Sequence, residues 1–153
     1  MRKFRHIIII DDNADDTFLT KRALNQEIVS ENRNIKLSSF NSGYDFLEYI
    51  RNKISYERES IDLILLDINL PFADGFDILK KIREDNYLCN TPVVMLSSST
   101  AKQDIRTSYR YGANSYIQKP VDFKNFRKMA SLIIQYWVET NQIMNKSNEE
   151  LVV

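Results

Sequence analysis

The stretch Leu63-Ile64-Leu65-Leu66-Asp67 narrows the folding options of this chain most. Four apolar residues without a polar break read as a strand buried on both faces, the habit of parallel sheets. The acid that follows sits where that strand stops. Pro71 fixes φ and lacks a donor, so the strand does not pass it. Asp74-Gly75 then turns the chain, with Asp74 placed to cap the next helix. In open α/β sheets ligands bind outside the carboxyl ends of the strands. Asp67 is therefore a carboxylate on a rigid platform at the edge where chemistry is expected.

A strand-end aspartate alone is as often a turn former or a cap. A matching run raises its standing: Ile7-Ile8-Ile9-Ile10 leads into Asp11-Asp12 in the same way. If the two strands are neighbours, three carboxylates gather. Like charges at close range raise one another's pKa and call for a cation. Hard oxygen donors with an open, hydrated sphere suit Mg²⁺.

The rest of the chain alternates strand and helix. The first strand occupies about residues 5–10, and Asn13-Ala14-Asp15-Asp16 offers a cap and first-turn acids for a helix reaching Gln26 or Ile28. Ile35-Lys36-Leu37-Ser38 alternates like a half-buried edge strand, and Phe46, Leu47 and Ile50 mark a second helix. Lys53 to Ser60 is a charged connection. Ile78, Leu79 and Ile82 mark a third helix, and Val93-Val94-Met95-Leu96 a fully apolar strand ending at Ser97. Thr100 with Gln103 resembles a capping box for a fourth helix carrying Ile105 and Tyr109, which Gly112 ends. Ser115-Tyr116-Ile117-Gln118 is a short fifth strand before Lys119-Pro120. Asp122 caps a long last helix through Phe126, Ala130, Ile133 and Trp137. Residues 1–144 are expected to form one domain, with 145–153 a polar, frayed tail. Five strands alternating with five helices imply an α/β fold with a parallel sheet covered on both faces.

With 153 residues and zero formal net charge, one domain is expected, and broad attraction to nucleic acid or anionic membrane is not implied. No run reaches the ~20 apolar residues of a membrane span. The basic start Met1-Arg2-Lys3-Phe4 precedes too short an apolar run for a signal peptide. The single cysteine, Cys89, reads as a structural thiol and suits a reducing compartment. A cytoplasmic protein is expected. His6, the only histidine, reads as structural, and Asp15 and Asp16 as first-turn helix acids.

Four strand ends thus meet on one edge: Asp11-Asp12, Asp67, Ser97 and Lys119. Together with the Asp67-x-x-x-Pro71-x-x-Asp74-Gly75 block and Lys119-Pro120, the chain resembles the receiver domain of two-component response regulators over about residues 5–140. The resemblance implies a flavodoxin-like (βα)5 three-layer sandwich with strand order 2-1-3-4-5, which makes the first and third strands neighbours. It implies that Asp67 accepts a phosphoryl group from a histidine kinase or phosphotransfer protein. Asp11 and Asp12 would hold Mg²⁺ with Asp67 and the backbone carbonyl of Asn69. Ser97 would bond a phosphoryl oxygen, Lys119 would pair with the acids or the phosphate, and Tyr116 would be the switch aromatic. The Lys119-Pro120 bond is often cis in this family. Such a chain would self-phosphorylate from a donor rather than turn over a separate substrate.

The chain ends soon after its fifth helix, so no DNA-binding output domain is expected. The long connection before the central strand, Asn41-Ser42-Gly43, the stretch from Tyr116 to Asp122 and Tyr136-Trp137 resemble the stand-alone regulators that partner bacterial phytochromes. A second apolar stripe on the last helix, Met129, Leu132, Tyr136 and Ile143, is expected to form a homodimer face, or else to pack on the fourth helix or under the tail. Three other readings compete. A haloacid-dehalogenase-type hydrolase would carry a second acid two residues after Asp67, where Asn69 stands. A receiver-like binding or scaffold module would never be phosphorylated. A flavodoxin-like protein would bind flavin.

Overall fold

The computed structural model describes residues 4–53 and 61–143. The charged connection from 54 to 60 and the tail from 144 onward lie outside them. Five parallel strands form one sheet in the order β2-β1-β3-β4-β5. They are β1 (Arg5–Ile10), β2 (Ile35–Phe40), β3 (Leu63–Leu66), β4 (Val93–Ser97) and β5 (Ser115–Gln118). The helices between and after them are α1 (Ala14–Ser30), α2 (Gly43–Arg51), α3 (Gly75–Glu84), α4 (Lys102–Arg110) and α5 (Phe123–Ile133). This is the flavodoxin-like arrangement expected, with the first and third strands paired and Ile10 opposite Leu66.

Because successive strand side chains point to opposite faces, the unbroken apolar runs supply two cores at once. Ile8, Ile10, Ile64, Leu66, Val93 and Met95 pack on one face with Phe46 and Ile50 of α2 and Ile78, Leu79 and Ile82 of α3. Ile7, Ile9, Leu63, Leu65, Val94 and Leu96 pack on the other with Ala23 and Leu24 of α1 and Phe126, Ala130 and Ile133 of α5. The Arg22 guanidinium lies 4.5 Å from the centre of the Phe123 ring, joining α1 to α5.

Most predicted helix signals hold. The Asn13, Ser42, Asp74 and Asp122 side chains each accept from the backbone N–H three residues on. Gly112 follows α4 with φ 102°, a conformation that suits a residue without Cβ. The Thr100 capping box does not form. Ala101 occupies the cap position without a side-chain bond. Ser99 supplies the local polar contacts instead, accepting from the Ala101 N–H at 3.2 Å and donating to Asp104 Oδ2 at 2.6 Å. Of the two apolar residues expected to seat α4, Ile105 is half-buried but Tyr109 is exposed, and Ser108 is the buried residue of that helix.

The last helix also departs from its expected form. After Ile133 it widens into a π-helical segment, Ile134–Thr140, in which the Asn141 N–H reaches back to the Tyr136 carbonyl. An extra residue per turn changes the phase of any stripe drawn at 100° per residue. Ile134 and Val138 are buried, and Glu139 pairs with Arg33 in the loop after α1. Met129, expected on an outward stripe, is buried in the α1-side core, because α5 packs against α1 as well as the sheet and buries a wider arc. Leu132 and Tyr136 remain exposed, Tyr136 edge-on to Trp137 at 4.8 Å, and Ile143 is half-buried.

Candidate functional site

The backbone register fixes the site before any side chain is considered. The Asp67 N–H donates to the Ile10 carbonyl at 2.9 Å, so the residues after β1 and β3 leave the sheet side by side. The Lys119 N–H donates to the Ser97 carbonyl at 2.8 Å, doing the same for β4 and β5. Carboxylate oxygens of Asp11, Asp12 and Asp67 all lie within 4.8 Å of one another. Asp11 and Asp67 are buried and Asp12 is exposed.

The loop after Asp67 is tightly held. The Asp67 Oδ1 accepts from the Ile68 N–H at 2.7 Å, and the Gly75 N–H donates to the Ile68 carbonyl at 2.7 Å. A Cβ at Gly75 would stand 2.1 Å from the Asp67 carbonyl oxygen, so only glycine lets the start of α3 approach this close. Phe72, within the loop, takes φ 69° and is exposed.

Lys119 closes the site from the β5 side. Its ammonium lies 2.7 Å from Asp67 Oδ2, 2.8 Å from Asp11 Oδ2 and 2.9 Å from Asp16 Oδ2. Burial alone would lower the Lys119 pKa, but the hydrogen bonds it donates to Asp11, Asp67 and Asp16 outweigh it and raise the pKa above the ordinary lysine value. The Asp11 carboxyl is pushed up to about 6. Burial is the main cause and the Asp67 charge adds to it, against the pull of Lys119 and the Asn13 N–H. A single ammonium among this many acids leaves a net negative pocket. The donor set, all carboxylate oxygens, is the kind that a hard divalent cation takes.

Of the residues predicted from the sequence, Asp11, Asp12, Asp67, Asn69, Ser97 and Lys119 fall at this edge. Asn69 is exposed just beyond Asp67, and Ser97 is fully buried at the end of β4. The Lys119–Pro120 peptide is trans. Tyr116 is half-buried against the α2–α3 core. Two participants were not picked out. Asp16, read as a helix acid, reaches Lys119; its position three residues after the cap Asn13 is the signal, since that turn opens directly off the β1 end. Ser99 accepts from the Tyr116 hydroxyl through its backbone carbonyl at 2.8 Å, which a sequence does not display.

Residues 7–131 match the response regulator receiver domain. The chain belongs to that family. It is 30% identical over 135 residues to the response regulator Rcp1 of Synechocystis sp., covering 88% of this chain and 89% of that protein. It is 29% identical over 136 residues to a probable methanogenesis regulatory protein, FilR2, of Methanothrix harundinacea, covering 89% and 85%. Among solved structures it is similar to the phosphorylated cyanobacterial phytochrome response regulator RcpA, with TM-score 0.79, 32% identity, and 92% and 98% of the two chains covered. The Mn²⁺-bound form of Rcp1 superposes with TM-score 0.77 at 28% identity, covering 92% and 99%. Both Rcp1 and RcpA match this chain over nearly their full length. Among the described residues no helix is long and apolar enough to cross a membrane.

Proposed function

We propose that this chain is a response regulator that takes a phosphoryl group onto Asp67 from a histidine kinase, with Mg²⁺ bound by Asp11, Asp12, Asp67 and the Asn69 backbone carbonyl. The observation that carries the reading is the buried Asp67 carboxylate set among two further acids and 2.7 Å from the Lys119 ammonium. In the transfer, an Asp67 carboxylate oxygen forms the new P–O bond while the donor's bond to phosphorus breaks, leaving an acyl phosphate. Such transfer is mainly positioning plus charge stabilisation and needs no general base. The cation would offset negative charge on the acids and on the incoming phosphoryl oxygens. Lys119 is a point cation on the other side, already within hydrogen-bond reach of the acceptor. The Ser97 hydroxyl, at the neighbouring strand end, would donate to a phosphoryl oxygen.

RcpA supports a narrower version, because that relative is a phytochrome response regulator in phosphorylated form. The donor proposed here is a sensor kinase of the phytochrome type. The reading includes a homodimer through the exposed Leu132 and Tyr136.

The test is intact mass after incubation with Mg²⁺ and acetyl phosphate or phosphoramidate. One phosphoryl should add to the wild type and to Asp74→Asn, and none to Asp67→Asn or to wild type in excess EDTA. Labelling that persists in Asp67→Asn would refute the acceptor. A wild type that never labels would make the chain a receiver-like binding module.

A further inference from the structure

Lys119 has three N–H donors and three carboxylate partners, so its ammonium is fully committed. Two of the partners belong to the acid cluster. The third does not: Asp16 stands outside the Asp11–Asp12–Asp67 group whose ligand atoms lie within 4.8 Å of one another. Asp16 comes from the first turn of α1, and its side chain is 28% exposed against 4% for Lys119. The Asp16 N–H is held by the Asn13 side chain at 3.0 Å, which fixes the turn that presents the carboxylate. A neighbouring acid on the same turn, Asp15, is exposed.

We propose that Asp16 is a positioning residue for Lys119, holding one of its N–H bonds outward so that the ammonium does not settle wholly on Asp11 and Asp67. The inference rests on the reading of Asp67 as a metal-assisted phosphoryl acceptor. A buried ammonium and a divalent cation draw on the same two carboxylates. With Asp16 present, part of the lysine charge is offset at the rim of the site, and Asp11 and Asp67 keep oxygens for the cation. Without Asp16, Lys119 turns its third donor inward and competes for them. The same release frees Lys119 from a fixed orientation toward the phosphoryl oxygens.

The discriminating experiment is a double-mutant cycle on Mg²⁺ affinity, read by calorimetric titration of wild type, Asp16→Ala, Lys119→Met and the double variant. Asp16→Ala should weaken Mg²⁺ about three- to tenfold while Lys119 is present, and by less than about twofold once Lys119 is methionine. Asp15→Ala, which removes an equal charge from the same turn, should stay near wild type. Equal losses in both Lys119 backgrounds would overturn the inference, because Asp16 would then act as a distant charge or as a ligand. Should Lys119→Met fail to fold, proton exchange at the Lys119 ammonium decides by NMR. It should speed up in Asp16→Ala and not in Asp15→Ala, and unchanged exchange would overturn the inference. A wild type that labels from acetyl phosphate but shows no Asp16–Lys119 coupling sinks this inference alone. A wild type that neither labels nor binds Mg²⁺ sinks the proposed function with it.

Discussion

The Tyr116 hydroxyl donates to the Ser99 carbonyl at 2.8 Å, tying β5 to the loop that leaves β4. The same loop is tied to the end of β4, because the Ser99 N–H donates to Ser97 Oγ at 3.2 Å. A Ser97 hydroxyl that turned to bond a phosphoryl oxygen would loosen the N–H side of Ser99, the residue whose carbonyl holds Tyr116. A ligand shifts an equilibrium only through such differential contacts. On phosphorylation of Asp67, the Tyr116 ring should change environment, read by fluorine NMR of fluorotyrosine-labelled protein assigned with Tyr116→Phe. Ser97→Ala should still take the label but lose that change. An identical Tyr116 response in Ser97→Ala would break the proposed coupling.

Gly75 is a second point where geometry predicts a large effect. Its missing Cβ would meet the Asp67 carbonyl oxygen at 2.1 Å and the Ile68 Cα at 2.8 Å, both main-chain atoms. Backbone cannot rotate aside as a side chain would. Gly75→Ala should cost on the order of 1–3 kcal/mol in urea unfolding and should also slow labelling, because the displaced atoms belong to Asp67, the proposed acceptor, and to Ile68 beside it. A variant with wild-type stability and labelling rate would show that α3 shifts freely, against this geometry.

The acid-lined edge was legible because each of its parts sits where a strand stops, three of them at the end of an apolar run. Ile10–Asp11, Leu66–Asp67, Leu96–Ser97 and Gln118–Lys119 are all strand ends, and periodicity finds strand ends well. What stayed hidden depended on rotamer or phase. Asp16 has a position that puts it on the turn opening off β1, but its side-chain direction, which brings it to Lys119, is not written in the sequence. The Tyr116–Ser99 bond uses a backbone carbonyl, to which residue identity is blind. Thr100 lost the α4 cap because Ser99, one residue earlier, satisfies Ala101 and Asp104 at once. Met129 was misplaced because a helix packed on both a sheet and another helix buries more than one narrow stripe.

His6 sits at the far end of β1 from the acids, with its Nε2 2.8 Å from Ser38 Oγ. Burial first, then the nearby Lys36 and Lys53 charges, lower its pKa to about 4 from 6.5. The folded state thus binds fewer protons than the unfolded state between these values. The contribution of His6 is full above pH 6.5 and is lost as pH falls toward 4. Asp11 works the other way, since its raised pKa makes the folded state bind more protons between 3.8 and about 6. The two are separated by comparing variants. The urea midpoint of wild type minus that of His6→Gln should shrink from pH 7 to pH 5. A difference that is constant over this range would show that His6 titrates normally in the folded chain.

Leu132 is 68% exposed and Tyr136 53% exposed, on either side of the junction between α5 and the π-helical segment. Nearby side chains of this helix, Met129, Ile133, Ile134 and Val138, are buried, so these two form the apolar remainder on its outer side. The Tyr136 ring is braced edge-on by Trp137, which packs on the core, so the face is pre-ordered for contact. A two-fold dimer would bring the same pair from both chains together. The patch is small, so the association should be weak, with dissociation on the order of micromolar. Leu132→Glu with Tyr136→Glu places four like charges at the two-fold interface. This double variant should sediment as a folded monomer at tens of micromolar and still label at Asp67. Met129→Glu should instead unfold the chain, since that side chain lies inside the core. A wild type that sediments as a monomer at that concentration, with and without the phosphoryl group, would end the dimer reading while leaving the acceptor site untouched.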